Sequence, residues 1–448
     1  MDAFKQIRID LPAIGRLRPL AHGETGSAKF TLGCETLDRD FADYEAYKSC
    51  IAPLGIPTIR LQGGWAKTEK HPGVYDFSWL DRIVDDAKWR GLNILLETDY
   101  GNSIYPDGGG TDLSGGFPAS PAALAAWDNW VEAMAMHYRG RVRDWAMWNE
   151  PDLVKERTAE EIVEFNIRTA RIVKTVIPDA RIAGLSLAHS GDKFEEYIRL
   201  FAERGALEMF TWMIYHGYTC NPDEAYDRGN RLKNILARYT DKVKLRQGEN
   251  GCPSEPTYKF ALRGVAWSEL SQSKWDLRRY IGDIANEVET SVFTICDFNH
   301  IGREINRKGL LLADAEHHVI RPKQAYYAIQ HLTGVFDDSL LPVREKATAL
   351  FKRNCAVFTF AECAGRGNLC AYWDRSDTPG DNLDPEPGQL IFADFPFREP
   401  VLVEMISGAA YAIPADRIEK HGAFVRFRDL PVIDSPLVVA ERKLLRLI

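Results

Sequence analysis

Two glutamates, Glu150 and Glu249, are a candidate pair of carboxyl groups for the cleavage of a glycosidic bond. Glu150 and Glu249 each follow a short apolar segment that is typical of a β-strand. Two carboxyl groups can cleave such a bond, because one protonates the leaving oxygen while the other attacks the anomeric carbon or activates water against it. A separation of about 5–5.5 Å gives retention of configuration, and one of about 6.5–9.5 Å gives inversion. Mutual repulsion also raises one pKa, which keeps the acid protonated near neutral pH.

The surrounding segments alternate between short apolar runs rich in β-branched residues and longer runs of helical period. Eight strands, each with a helix after it, predict a (β/α)8 barrel (TIM barrel). A doubly wound open sheet is the alternative, but that fold usually has fewer strands and a nucleotide-binding turn. The predicted strands are 30–34, 58–62, 93–98, 142–149, 181–185, 210–216, 242–247 and 291–297. The predicted helical segments include 77–90, 122–138, 159–176, 194–204, 223–239 and 267–289, with 322–332 as the closing helix.

A (β/α)8 barrel carries its chemistry at the carboxyl ends of its strands. Glu150 ends the fourth predicted strand and Glu249 follows the seventh, so both reach the same rim. Glu35 follows the first strand, and Glu97 and Asp99 lie at the end of the third. Each of these three acids either binds sugar hydroxyls or forms a structural ion pair with Arg60, and the sequence leaves both interpretations open.

The composition changes near residue 341, where short strand-like runs separated by Gly/Pro/Asp turns begin. Regular strand spacing with turn signals predicts an antiparallel β-sandwich of about 100 residues. We therefore expect a catalytic barrel over residues 26–335 and a sandwich over 341–448. The N-terminal segment, 1–25, contains an alternating stretch and is expected to pack on the sandwich.

The tetrapeptide Trp148-Asn149-Glu150-Pro151, together with Glu249 after the seventh strand, resembles clan A of the retaining glycoside hydrolases. The resemblance covers about residues 30–332, and the barrel-plus-sandwich layout is similar to that of family 39 and its relatives. It implies that Glu150 is the general acid/base and that Glu249 is the nucleophile. It also implies that the amide of Asn149 binds the sugar 2-hydroxyl.

Three further residues match positions of the clan. Arg60, at the end of the second strand, matches an arginine that supports the nucleophile. His216 and Tyr218 match a His-x-Tyr element whose tyrosine donates a hydrogen bond to the nucleophile. The chain departs from the clan after the eighth strand, where many members have a tryptophan and this sequence reads Cys-Asp-Phe-Asn-His over 296–300. The sugar preference of a named family therefore does not transfer.

Other residues near the strand ends are candidates for sugar binding. Aromatic rings stack on the C–H faces of sugars, which makes Trp65 and Trp148 candidate platforms. Asp99 and Asn299 are candidate partners of sugar hydroxyls.

Composition narrows the class of protein further. The net charge of −8 is unfavourable for binding nucleic acid, and no apolar run approaches the roughly 18 residues of a membrane span. The first residues lack the features of a signal peptide, so we expect a cytoplasmic protein. The eight cysteines are scattered without a CxxC pair, which indicates free thiols, although a bridge between Cys363 and Cys370 stays open.

The sequence contains no HExxH, phosphate-loop or G-x-S-x-G motif, so we expect neither a metal nor an organic cofactor. The predicted function is a retaining β-glycoside hydrolase that cleaves terminal or short-oligosaccharide bonds by double displacement. A transglycosylase with the same catalytic pair and an inactive sugar-binding barrel are the alternatives. The sugar, exo or endo action and homo-oligomerisation stay open.

Overall fold

The computed structural model describes residues 4–113, 115–154, 157–189, 191, 193–300 and 304–448. The strands in chain order are β1 (Ala13–Arg16), β2 (Phe30–Gly33), β3 (Thr58–Gln62), β4 (Asn93–Glu97), β5 (Asp144–Ala146), β6 (Arg181–Leu187), β7 (Trp212–Tyr215), β8 (Lys244–Gln247), β9 (Thr290–Val292), β10 (Phe298–Asn299), β11 (Ile305–Asn306), β12 (Leu311–Ala313), β13 (Val319–Pro322), β14 (Leu340–Val343), β15 (Ala347–Leu350), β16 (Cys355–Glu362), β17 (Asn368–Asp374), β18 (Glu386–Ala393), β19 (Pro400–Glu404), β20 (Ala409–Ala412), β21 (Ile418–His421), β22 (Phe424–Val432) and β23 (Leu437–Glu441). The α-helices are α1 (Tyr44–Tyr47), α2 (Trp65–Thr68), α3 (Ser78–Trp89), α4 (Pro121–Tyr138), α5 (Ala159–Val176), α6 (Phe194–Glu203), α7 (Glu224–Ala237), α8 (Glu269–Ala285) and α9 (Gln324–Val335).

Strands β2 to β9 form one parallel sheet in which each strand pairs with the next from β2 to β8, and β9 pairs with β2. Backbone bridges from Arg246 to Glu289 and from Asn250 to Val292 bring β8 and β9 together. The sheet therefore curves into a barrel, and the predicted (β/α)8 fold is confirmed. Since all eight strands run the same way, the segments that follow them lie at one rim.

The strand that carries Glu150 is shorter than predicted. It ends at Ala146, although the backbone N–H groups of Met147 and Glu150 still donate to the carbonyls of Ala183 and Ser186 on the neighbouring strand. Glu150 has a φ of 48°, in the left-handed region that residues other than glycine adopt rarely. This turn breaks the regular ladder at the point where the chain presents the carboxylate.

The residues after α9 form antiparallel sheets, as predicted for a β-sandwich. One sheet has the order β1-β20-β19-β23-β17-β16-β14 and the other has the order β15-β18-β22-β21. The N-terminal strand β1 joins the larger sheet, where Ala13 pairs with Tyr411. The boundaries at 26–335 and 341–448 stay a prediction.

Helix α8 lies between the barrel and the sandwich and is buried along its whole length. Its Lys274 reaches the sandwich, where the ammonium donates to Asp434 and to the backbone carbonyl of Asn382. All eight cysteines are free, which corrects the option of a bridge between Cys363 and Cys370. Within the described ranges, no helix is long and apolar enough to span a bilayer.

Candidate active site

A cavity of about 920 Å³ opens at the carboxyl ends of the barrel strands. It is lined by Asn149 and Glu150, which follow β5, by Tyr218, which follows β7, and by Glu249, which follows β8. The side chains of Glu150 and Glu249 are only 10% and 12% exposed, so the cavity holds them largely away from bulk water. Burial of this kind strengthens every electrostatic contact they make.

The two glutamates approach each other across His216. Nδ1 of the imidazole lies 2.8 Å from Oε1 of Glu150 and 3.8 Å from Oε2 of Glu249. One oxygen of each glutamate and a ring nitrogen of His216 all lie within 4.8 Å of one another. The fold thus brings together the two carboxylates that the sequence predicted as a pair.

Arg60 donates hydrogen bonds to Glu249 and to three other buried side chains. Its Nη1 donates to Glu249 at 2.9 Å and to Glu35 at 3.0 Å, while its Nη2 donates to Glu97 at 2.8 Å and to Asn149 at 2.7 Å. One buried guanidinium thus pairs with three carboxylates, and its positive charge partly compensates all of them.

The pKa values of the two glutamates shift in opposite directions. Burial raises the pKa of Glu150, and the nearby negative charge of Glu249 adds to that rise although His216 opposes it. Burial acts on Glu249 in the same sense, but the positive charges of His216 and Arg60 outweigh it, so the pKa of Glu249 is lowered overall. At neutral pH Glu249 is therefore an anion, and Glu150 keeps its proton to a higher pH than an exposed glutamate does.

Tyr218 and Asn149 complete the surroundings of the pair. The hydroxyl of Tyr218 donates to Oε1 of Glu249 at 2.9 Å. Asn149 accepts from Arg60 through its carbonyl oxygen and donates from Nδ2 to the hydroxyl of Tyr100 at 2.7 Å. A side-chain amide has two N–H donors, so the second one is left for a molecule in the cavity.

Glu150, His216 and Glu249 also have the spacing of a metal-binding triad. The charges around them are unfavourable for a cation. Arg60 and Tyr218 already donate to the two oxygens of Glu249, and the flanking carboxylates raise the pKa of His216 even though burial lowers it. Since a metal needs a deprotonated imidazole, this environment favours proton transfer over metal binding.

Four of the predicted sugar ligands, two tryptophans and two polar residues, are not among the residues that line the cavity. Trp65 is fully buried and packs against Trp127 and Trp130, because helix α2 turns its indole into the barrel wall. Trp148 is 1% exposed and packs edge-on against Tyr100.

The other two of these residues are Asp99 and Asn299, which are polar. Asp99 is fully buried beneath the cavity, where it accepts from Gln62, and burial raises its pKa well above the usual range. The predicted ion pair with Arg60 is formed by the other two acids, Glu97 and Glu35. Asn299 donates to the backbone carbonyl of Ala315, outside the cavity lining.

The cavity also contains residues that the sequence did not single out as ligands. The largest group lies on the walls formed after β2 and after β9: Thr36, Arg39, Phe41, Phe293, His300, Asn306 and Lys308. Arg39 follows the first barrel strand closely enough to have been considered. Lys308 comes from a segment beyond the hairpin of β10 and β11, so its distance from any strand end gave no signal.

The family model described as beta-galactosidase, of glycoside hydrolase family 42, matches residues 49–146, a segment that contains β3 to β5. A family 39 glycoside hydrolase from the gut symbiont Bacteroides cellulosilyticus WH2 superposes with a TM-score of 0.70 at 17% identity, over 93% of this chain and 81% of that chain. The chain therefore has the fold of this family 39 glycoside hydrolase, a barrel with a β-sandwich. The predicted resemblance to clan A and to the layout of family 39 is confirmed.

Other solved glycoside hydrolases have the same clan A fold. A monomeric beta-xylosidase from Caulobacter crescentus CB15 has a TM-score of 0.57 at 14% identity, over 95% of this chain and 97% of that chain. A family 30 endoxylanase from Clostridium papyrosolvens C71 has a TM-score of 0.60 at 11% identity, over 96% and 98%. No curated protein sequence matches the chain significantly.

Proposed function

We propose that this clan A protein is a retaining β-glycoside hydrolase in which Glu249 is the nucleophile and Glu150 is the general acid/base. The observation that carries the proposal is the proximity of the two carboxyl groups, which have oxygens within 4.8 Å of each other. Carboxyl groups about 5–5.5 Å apart suit double displacement, whereas an inverting enzyme needs about 6.5–9.5 Å to admit a water molecule between its carboxylate and the sugar.

In the first step, an oxygen of Glu249 forms a bond to the anomeric carbon as the bond from that carbon to the leaving oxygen breaks. Glu150 transfers its proton to the departing oxygen, so the aglycone leaves as a neutral alcohol. The lowered pKa of Glu249 and the raised pKa of Glu150 supply the required protonation states.

In the second step, Glu150 is a carboxylate and takes a proton from water. The water oxygen attacks the anomeric carbon, the ester bond to Glu249 breaks, and the free sugar leaves with its original configuration. Two inversions at the same carbon give this net retention. The cycle returns both glutamates to their starting states without a metal or an organic cofactor.

The neighbouring residues support these steps. Arg60 and Tyr218 each donate to one oxygen of Glu249, which orients the carboxylate and stabilises it when it leaves the sugar. The remaining N–H of Asn149 suits the sugar 2-hydroxyl. The deep position of the pair in a walled cavity favours terminal or short-oligosaccharide bonds in a carbohydrate substrate.

The test compares wild type with Glu249→Gln on aryl β-xylosides, β-galactosides, β-glucosides, β-mannosides and α-arabinofuranosides. We expect release of the phenol by wild type from at least one sugar and a loss of about 1,000-fold or more in the variant. A 2-deoxy-2-fluoro glycoside of the preferred sugar should label Glu249, which mass spectrometry of peptides locates.

Glu255→Gln is the matched control, because Glu255 lies in the loop after β8 but its side chain is 57% exposed and pairs with Arg307. It should retain wild-type rates. Equal release by wild type and Glu249→Gln, or a first product of inverted configuration in the NMR spectrum, would contradict the proposal.

A further inference from the structure

Lys308 is an unusual buried cation. Seven lysines and arginines of the described residues are buried, and six of them pair with a carboxylate within 4.0 Å. These six are Arg60, Arg246, Lys274, Arg278, Arg279 and Lys323. Lys308 is 3% exposed, and no described acidic residue lies within ion-pair distance of it. Buried charges in proteins are almost always paired, so this exception calls for a partner.

The ammonium of Lys308 has more N–H donors than it uses in hydrogen bonds to the described residues. Its Nζ donates to the backbone carbonyl of Ala261 at 3.0 Å, whereas an ammonium group has three N–H donors. The group lies 5.6 Å from the ring centre of Tyr218, which is itself bonded to Glu249. Because Lys308 also lines the cavity, its remaining donors lie close to the proposed sugar subsite.

Lys308 keeps its charge at neutral pH. Burial lowers its pKa to about 8, and the negative charge of Glu249 limits that drop. A lysine with this pKa is mostly protonated at pH 7. The protein therefore places a positive charge in a site that is poorly hydrated, and the charge is incompletely compensated by the chain itself.

A second cation contributes to the same wall of the cavity. Arg39 lines the cavity and donates to Asp38 and Gln62. Burial lowers the pKa of His300 to about 4, and the positive charges of Arg39 and Lys308 add to this effect. Both cations are thus close enough to act on one cavity-lining imidazole, which stays neutral and adds polar contacts without adding charge.

We propose that Lys308, assisted by Arg39, forms a subsite for an anionic group on the substrate sugar, either a carboxylate or a sulfate ester. The inference rests on the proposed glycoside hydrolase function and specifies its substrate class. An anion would complete the ion pair that Lys308 lacks, and charge-assisted hydrogen bonds are the stronger class of such contacts. A neutral sugar would leave the ammonium unpaired in its buried position.

The experiment uses matched pairs of 4-nitrophenyl glycosides that differ only in the charged group. The pairs are β-glucuronide with β-glucoside, β-galacturonide with β-galactoside, and β-glucoside 6-sulfate with β-glucoside. We expect wild type to prefer one charged member by about 100-fold in kcat/KM. The carboxylate and sulfate arms distinguish the two sources of the anion.

The variant Lys308→Met keeps the length and apolar volume of the side chain and removes its charge. It should lower the preference for the charged substrate to below about tenfold, while Lys308→Arg should restore part of it. Lys88→Met, at an exposed lysine of α3, is the matched control and should keep the wild-type preference. Wild-type preference for the neutral member of every pair would overturn the inference, whatever the variants do.

A binding measurement separates this inference from the proposed function. Titration calorimetry of wild type with glucuronate, galacturonate and glucose 6-sulfate, each beside its neutral parent sugar, needs no turnover. Anion-selective binding that Lys308→Met abolishes, with no glycoside cleaved, would support the subsite and contradict the hydrolase proposal. Cleavage of neutral glycosides with no selectivity for the anion would do the reverse. Neither cleavage nor selective binding would overturn both.

Discussion

Arg60 and Glu249 form a buried ion pair in which Nη1 of the arginine lies 2.9 Å from Oε2 of the glutamate. The side chain of Arg60 is 2% exposed, and its guanidinium also contacts Glu35 and Glu97. The proposed nucleophile therefore shares this countercharge with two other carboxylates. The positive charges of His216 and Arg60 together lower the pKa of Glu249.

This relationship predicts a large effect for Arg60→Lys. A lysine keeps the charge but cannot donate to four fixed oxygens in one plane, so Glu249 should lose its orientation. We expect kcat to fall by about 100-fold or more, with a small change in KM. Steady-state kinetics and a thermal melt measure the two effects separately. Arg353→Lys, at an exposed sandwich arginine, is the control, and a folded Arg60→Lys protein with normal kcat would refute the role.

Glu150→Gln should have an effect that depends on the leaving group. A glutamine cannot supply a proton, so alkyl and weakly activated aryl glycosides should lose about 100-fold or more in kcat/KM, while 2,4-dinitrophenyl glycosides should lose much less. Glu249→Gln serves as the internal comparison, because removal of the nucleophile should slow all substrates alike. Identical leaving-group profiles for the two variants would remove the distinction between their roles.

The dependence of activity on pH tests the same assignment of Glu150 as the acid/base and Glu249 as the nucleophile. Activity should fall at low pH as Glu249 is protonated, and at high pH as Glu150 loses the proton it must donate. The lowered pKa of Glu249 and the raised pKa of Glu150 place the active window between them. On a 2,4-dinitrophenyl substrate, Glu150→Gln should lose the high-pH decline and keep the low-pH one. Retention of the high-pH decline would assign that titration to another group.

Glu35 is expected to make stability depend on pH. Burial raises its pKa from 4.5 to about 7, the charges of Glu249 and Glu97 add to the rise, and Arg60 opposes it. The folded state therefore holds a proton on Glu35 that the unfolded chain releases above pH 4.5. Its contribution to stability is present below pH 4.5 and is lost as the pH rises to about 7, an effect of about 3 kcal/mol.

Glu35→Gln should remove this dependence. Between pH 5 and pH 8, the free energy of unfolding should fall by less in the variant than in wild type, as urea titrations at both values would show. Other buried acids titrate in both proteins and cancel in the difference. Glu255→Gln, at an exposed carboxylate, should behave as wild type. Equal pH dependence in wild type and Glu35→Gln would mean that Glu35 is already ionised at pH 5.

Much of the fold could be predicted from local pattern. Helix α5 begins and ends where its periodicity indicated, since Thr158 and Glu161 form a capping box at its start. Strand β5 was predicted too long, because the left-handed turn at Glu150 has no signature in hydropathy. The local sequence pattern thus predicted the helices and strands, but it did not predict the irregular backbone at the site.

The candidate site divides in a similar way. Residues at strand ends, such as Arg60 and Glu249, converge because the barrel geometry brings strand ends together. Trp65 also follows a strand, but helix α2 turns inward from Gly64, which has a φ of 63°, and buries the indole. Lys308 is far along the chain from the end of the last barrel strand, β9, so only the tertiary structure brings it to the cavity. Sequence position predicts which residues reach the rim, and it does not predict which way their side chains point.

Lys274 and Asp434 join the barrel to the sandwich. Removing only the charge of Asp434 should lower the free energy of unfolding more than removing both charges. The ammonium is buried and lies 2.6 Å from Oδ1 of Asp434. Asp434→Ala would leave a buried lysine unpaired, so we expect the free energy of unfolding to fall by about 3 kcal/mol. The double variant with Lys274→Met should recover much of that loss, because the uncompensated charge is gone. Urea unfolding followed by circular dichroism measures both. Asp384→Asn, at the exposed pair with Arg8, should cost about 1 kcal/mol or less. Equal destabilisation of the single and double variants would show that packing, and not charge pairing, holds this contact.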